Sequence, residues 1–281
     1  MSRAHTARRA RRDPARRVRA FARVMETTSR PTVTAPRRRA FLTAEWRWLL
    51  MLNYEVPPAV LAPYVPRGTV LDLFEGRALA SIVGFRFLRT RVLGIPVPGH
   101  VDFDEVNLRF YVRHETPAGE VRRGVVFVRE LVPRAAIAWL ARLAYNEPYA
   151  ALPMRSTVPP RMGDDPGRAT FAWRLGDRWM HAAGTAVGTP VIPPRGSEAE
   201  FITEHYWGYT PQRDGGTVEY QVTHPQWRTW AVHEPLLDAD IAALYGPTFV
   251  TPLAAAPTSA FIAEGSTVAV HMPRRLRSET A

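Results

Sequence analysis

From Glu105 to Arg113 apolar and polar side chains alternate without a break. Val106, Leu108, Phe110 and Val112 fall on one side of an extended chain. Glu105, Asn107, Arg109, Tyr111 and Arg113 fall on the other. A helix would scatter both sets around its circumference, so this pattern predicts a strand with one apolar and one polar face. Two placements are open for such a face. It can meet solvent, where Glu–Arg pairs contribute ~0–1 kcal/mol, or it can line an enclosed interior as a carboxylate, an amide and a guanidinium.

Similar segments recur along the chain. Trp46 to Tyr54 is a mixed apolar run, read as a strand. Thr69 to Phe74 and Ala78 to Leu88 read as strands joined by a turn at Glu75-Gly76, and Gly124 to Leu131 as another. The pattern returns at Ala169 to Leu175, Trp179 to Ala183, Thr217 to His224, Arg228 to His233 and Thr267 to Met272. Helical signals are short. One helix is expected within Pro57 to Pro63. A second runs from Pro133 to Tyr145, with proline in its first turn. A third follows the capping box Ser197-Glu198-Ala199-Glu200 into Phe201 to Tyr206, and a fourth spans Asp238 to Tyr245 before Gly246. Many strands with few short helices predict a mainly β domain of the α+β class, as a closed or half-closed barrel.

The chain has 37 basic residues and none is lysine. Arginine cannot form a Schiff base with a carbonyl, so lysine-dependent covalent catalysis is excluded. The net charge of +11 resides in one place. Residues 1–40 hold 13 arginines against Asp13 and Glu26, while the other 241 residues balance 24 arginines with 24 acids. Residues 1–40 are therefore read as an Arg-rich disordered extension, 41–275 as a single β-barrel domain and 276–281 as a tail. Nucleic acid is a conceivable partner only through the extension. No apolar stretch suits a signal peptide or a membrane span, and a cytoplasmic location is expected. Without cysteine there are no disulfides and no thiolate ligands. The eight histidines are scattered. His224 and His233 flank a short turn and would meet if it closed a hairpin, with a structural role expected for them over a metal site. No metal and no cofactor are expected, because the chain lacks a phosphate loop, a dinucleotide fingerprint, a nucleophile elbow and an HExxH pair. Self-association is left open.

A series of motifs carries a resemblance. Tyr54-Glu55-Val56-Pro57-Pro58, Leu71-Asp72 and Gly84-Phe85-Arg86 are followed by Gly94-Ile95-Pro96-Val97-Pro98 and by Phe103-Asp104-Glu105-Val106-Asn107-Leu108-Arg109-Phe110-Tyr111-Val112. Gly124-Val125-Val126-Phe127, Pro148-Tyr149, Phe201-Ile202-Thr203-Glu204-His205-Tyr206 and Pro225-Gln226-Trp227 continue in order. Together they resemble the YqjF-like uncharacterised family, domain of unknown function 2071, within the acetoacetate-decarboxylase-like superfamily. That resemblance implies a cone-shaped β-barrel with a few peripheral helices. It also implies that Tyr149 and Ala150 stand where the decarboxylase keeps its reactive lysine pair, after Ala141-Arg142-Leu143. Glu105 matches a decarboxylase glutamate, and Arg47 an arginine of the first strand.

These readings give a set of candidate residues. Glu105 is the candidate acid or base and Tyr149 a donor to a carbonyl oxygen; Arg47, Arg86, Asn107 and Arg109 are candidate ligand-binding groups. The expected ligand is a small anionic or carbonyl-bearing molecule, with acid/base lyase or hydrolase chemistry. Two rivals stand beside this reading: a binding protein without catalysis, and a nucleic-acid-associated protein acting through residues 1–40.

Overall fold

The computed structural model describes residues 40–96, 98–133, 148–158 and 167–276. The chain builds β1 (Ala40–Glu55), β2 (Val70–Leu71), β3 (Leu79–Val92), β4 (Ile95–Pro96), β5 (Phe103–Glu115) and β6 (Val121–Val132). Then come β7 (Tyr149–Ala151), β8 (Met154–Thr157), β9 (Arg168–Leu175), β10 (Arg178–Val191), β11 (Trp207–Pro211) and β12 (Thr217–Thr223). The last strands are β13 (Thr229–Asp238), β14 (Ser259–His271) and β15 (Arg274–Arg275). Four short helices punctuate them: α1 (Pro58–Leu61), α2 (Glu198–Thr203), α3 (Ile241–Tyr245) and α4 (Val250–Ala254). The mainly β, α+β expectation holds.

Most expected strands are present but longer at their ends. The reading of Thr69 to Phe74 as a strand reduces to β2, followed by a bridge between Phe74 and Arg77 across the Glu75-Gly76 turn. Helix α2 starts at Glu198 and ends before His205, so Ser197 is its N-cap and the rest of the capping box forms its first turn. There Ser197 Oγ accepts from Glu200 N at 3.2 Å. Helix α3 begins later than expected, after the Asp240 cap, because Asp238 still belongs to β13. The helix expected over Pro133 to Tyr145 falls almost wholly outside the described residues, as do 1–39 and 277–281.

The sheet closes on itself. Seven strands run in the order β12, β11, β6, β5, β3, β1, β14, and β14 pairs back to β12. All these pairings are antiparallel except β6 with β11, which is parallel. From β14 the sheet also branches through β13, β10, β9 and β8. Alternation then sorts the side chains into two cores. One packs Leu50, Leu52, Ile82, Val106, Leu108 and Phe110 against Phe171, Trp173, Met180 and Trp230 of the branch. At Gly84 of β3 the Phe171 ring lies 2.6 Å from where a Cβ would stand, so the two layers meet closely there. The other core fills the ring, with Leu49, Met51, Val83, Phe85, Phe87, Phe103, Tyr111 and Phe261.

His224 and His233 do not meet across a hairpin. Strands β12 and β13 both pair with β14 instead of with each other, so the turn between them is a crossover. His224 stacks instead on Trp227, with ring centroids 3.9 Å apart. Among the described residues no helix is long and apolar enough to cross a membrane.

Candidate functional site

The polar face of β5 points into the ring. Glu105, Asn107 and Tyr111 are buried at 3%, 1% and 1% exposure, which excludes the solvent-facing placement that alternation had left open. Glu105, Asn107 and Arg109 line a cavity of about 100 Å³ together with Glu130 of β6 and Tyr149 of β7. Strand register sets these groups side by side. Asn107 lies opposite Glu130, and Glu130 lies opposite Tyr149. Apolar walls from Phe41, Leu42, Trp46, Leu49, Phe85, Phe87 and Phe127 enclose the polar floor. Trp46 meets Phe85 and Phe87 edge-on at 5.4 and 5.7 Å, which holds its indole upright in the wall.

Two β-bulges make this wall. Trp46 and Leu49 are three residues apart, yet both line the cavity. Strict alternation would place them on opposite faces. The β1–β3 register shifts between Arg47 and Leu50, and Trp48 takes a left-handed φ of 52°, so the strand changes phase there. The same happens in β6, where Phe127 and Glu130 both face inward across a register shift opposite Leu108 and Arg109.

The hydrogen bonding of the floor is asymmetric. Asn107 Nδ2 donates to Glu105 Oε1 at 2.8 Å. Asn107 Oδ1 and Arg109 Nε are buried without a partner. Arg109 reaches the Met51 sulfur at 3.8 Å, a weak acceptor, and lies 5.9 Å from the Tyr111 ring. Among the described residues no carboxylate pairs with the Arg109 guanidinium, so its charge is available to a ligand.

Two candidates lie elsewhere. Arg47 sits on the outer face of the ring, paired with Glu45 at 2.8 Å and donating to the Gly265 carbonyl at 3.1 Å. Arg86 alternates away from Phe85 and Phe87 and pairs with Asp104 at 3.2 Å, whose carboxylate also accepts from Ser156 at 2.9 Å. Burial raises the Asp104 pKa against the pull of Ser156 and Arg86. Neither arginine borders the cavity, because β1 and β3 turn these positions outward. Sequence reading passed over Glu130, Thr210, Tyr220 and His271, which also line the cavity; the bulge in β6 hides the phase of Glu130.

Beyond Arg109 the interior face leads to a second buried group. Tyr111 shares a hydrogen bond with Ser81 Oγ at 2.6 Å, and its ring packs 4.7 Å from His205. His205 Nε2 lies 3.1 Å from Asp72 Oδ2, and Arg123 donates to the same oxygen at 2.6 Å. Burial pushes the His205 pKa down to about 4; Asp72 offsets this in part, while Arg123 and Arg109 add to it. Burial alone would raise Asp72, but its bonds to His205 and Arg123 outweigh that and lower its pKa. The pair is therefore a neutral imidazole on an ionised carboxylate. Leu71-Asp72 and Phe201 to His205 stood out in the sequence only as separate strings, 133 residues apart.

Comparison with known proteins matches this chain over residues 43–267 to DUF2071, a family described as uncharacterized conserved proteins. The uncharacterized protein YqjF of Bacillus subtilis (strain 168) is 28% identical over 182 residues, covering 64% of this chain and 72% of YqjF. Among solved structures, the enduracididine biosynthesis enzyme MppR complexed with pyruvate superposes with a TM-score of 0.60 at 15% identity, covering 91% of this chain and 96% of that one. Acetoacetate decarboxylase from Legionella pneumophila gives 0.57 at 16% identity, covering 89% and 95%. These structural likenesses establish the fold, an acetoacetate-decarboxylase-like arrangement around a closed ring of strands. The chain belongs to the DUF2071 family.

Proposed function

We propose that the cavity binds a small organic anion, with its carboxylate on Arg109, and that Glu105 exchanges a proton with it. The observation that carries this reading is the half-buried Arg109 guanidinium, which lines the cavity with no acid partner among the described residues. A guanidinium in an enclosed apolar wall is stabilised by an anion it can hold by paired N–H donors. Glu105 is buried, reaches the same space and is oriented by Asn107, which is the arrangement an acid/base group needs. Tyr149 supplies a hydroxyl on the opposite side of Glu130. MppR, on the same fold, is complexed with pyruvate, itself a small organic anion.

Arg109→Met keeps an unbranched apolar stem and removes the guanidinium with its charge and donors. Titration calorimetry with short-chain carboxylates is expected to show affinity falling by about tenfold to a hundredfold, the usual range for a charge-assisted pair. Equal binding by both proteins would remove Arg109 from the site. The chemistry is not that of a lysine enzyme. Acetoacetate followed by borohydride is expected to leave no adduct on any side chain by peptide-level mass spectrometry, since no side-chain amine exists to form one.

A further inference from the structure

We infer that the ligand is a monocarboxylic acid with an apolar body, its carboxylate on Arg109 and its hydrocarbon part against the aromatic wall of β1 and β3. This rests on the anion reading above and narrows it to a chemical class. The cavity lining is segregated by strand. Every lining residue from β5 is polar: Glu105, Asn107 and Arg109. Every lining residue from β1 and β3 is apolar, with Trp46, Phe85 and Phe87 as the aromatic centre. Strand register makes the boundary sharp. Glu105 of β5 lies opposite Phe85 of β3, and Phe87 of β3 lies opposite Trp46 of β1. On the other flank of β5 the polar side continues into Glu130 and Tyr149.

Trp46 is half-buried and its indole nitrogen is fully enclosed, so the surface it offers the cavity is carbon. Such a wall gains most from hydrocarbon laid against it, and each methylene buried there tightens binding by about fourfold. A second carboxylate on the ligand would shed its water beside β1 and β3, and neither strand contributes a polar lining residue to receive it. An acid of one or two carbons engages Arg109 but covers little of the wall. The two-sided lining therefore selects monoacids with a hydrocarbon body over dicarboxylates and over the smallest acids.

The test is a calorimetric panel on the full chain: acetate, adipate, hexanoate and phenylacetate. Adipate matches hexanoate in carbon number and differs by its second carboxylate. At least one of hexanoate and phenylacetate is expected to bind about tenfold or more tightly than both acetate and adipate. In Trp46→Gln, which sets an amide into the wall, that advantage should shrink to under about threefold while acetate binds as before; the wild-type panel decides by itself if this variant does not fold. A smaller advantage in the wild type, or adipate binding tightest, with affinities still lowered in Arg109→Met, would overturn the apolar-body assignment and leave the anion site standing. No binding by any of the four acids, or binding indifferent to Arg109→Met, would sink both.

Discussion

Gly265→Ala is expected to lose about 4 kcal/mol or more of stability, a large share of the ~5–15 kcal/mol that an ordinary domain has. Gly265 sits on β14 opposite Arg47, at φ +75°. A Cβ there would lie 1.9 Å from the Trp46 carbonyl oxygen and 2.8 Å from a Leu49 methyl. The nearest obstacle is backbone, which cannot swing aside. Gly265 is thus the other half of the β1 bulge: its bare Cα leaves room for the chain to change phase between Trp46 and Leu49. Gly188→Ala is the control, since its φ of +72° carries similar backbone strain with nothing within 4 Å. It should cost only about 1–2 kcal/mol, the left-handed penalty alone. Urea denaturation of both variants separates collision from strain. Similar losses in the two would show that the close approach to Trp46 is unimportant.

Acid should destabilise the protein well before its carboxylates titrate. His205 has its pKa depressed by burial to about 4, against an ordinary value of 6.5. Between those values the unfolded chain binds the proton and the folded one does not, so stability rises with pH. The contribution is complete above pH ~6.5 and is lost as pH falls toward 4. By pH 5 the loss from this one group is about 2 kcal/mol, and by pH 4 about 3 kcal/mol. His224, pushed down to about 4 by burial and by Arg109, acts in the same window. Asp72, held below its usual range, extends the loss to lower pH. Denaturation midpoints between pH 7.5 and 4.5 should therefore fall steeply in the wild type. In His205→Gln most of the slope should be lost, leaving the smaller part due to the partly exposed His224. An unchanged slope would mean that His205 takes up its proton in the folded state as readily as in water.

With an anion held on Arg109 as proposed, ligand binding and acid stability would connect through this residue. Its charge helps to hold both histidines neutral. It also stands at the junction between the cavity floor and the Tyr111–His205–Asp72 group. An anion neutralising Arg109 relieves part of that repulsion, so carboxylate binding should tighten modestly as pH falls through the histidine range.

The sequence determined this protein's strand content, the two-faced character of β5 and the exclusion of lysine chemistry. These rest on local rules: a period of two in extended chain, and the kinds of side chain present. It also marked Glu105, Asn107, Arg109 and Tyr149, which the fold brings to one cavity. Only the tertiary structure decided that the polar face of β5 is inside, because alternation names two faces and says nothing of which one the ring encloses. Only the tertiary structure turned Arg47 and Arg86 outward into pairs with Glu45 and Asp104. It alone joined Asp72 to His205. And it alone placed Glu130 and Trp46 in the cavity wall, since each lies beside a bulge. A bulge adds one residue to one strand and flips every side chain after it, and it depends on register with a neighbouring strand and on a distant glycine such as Gly265.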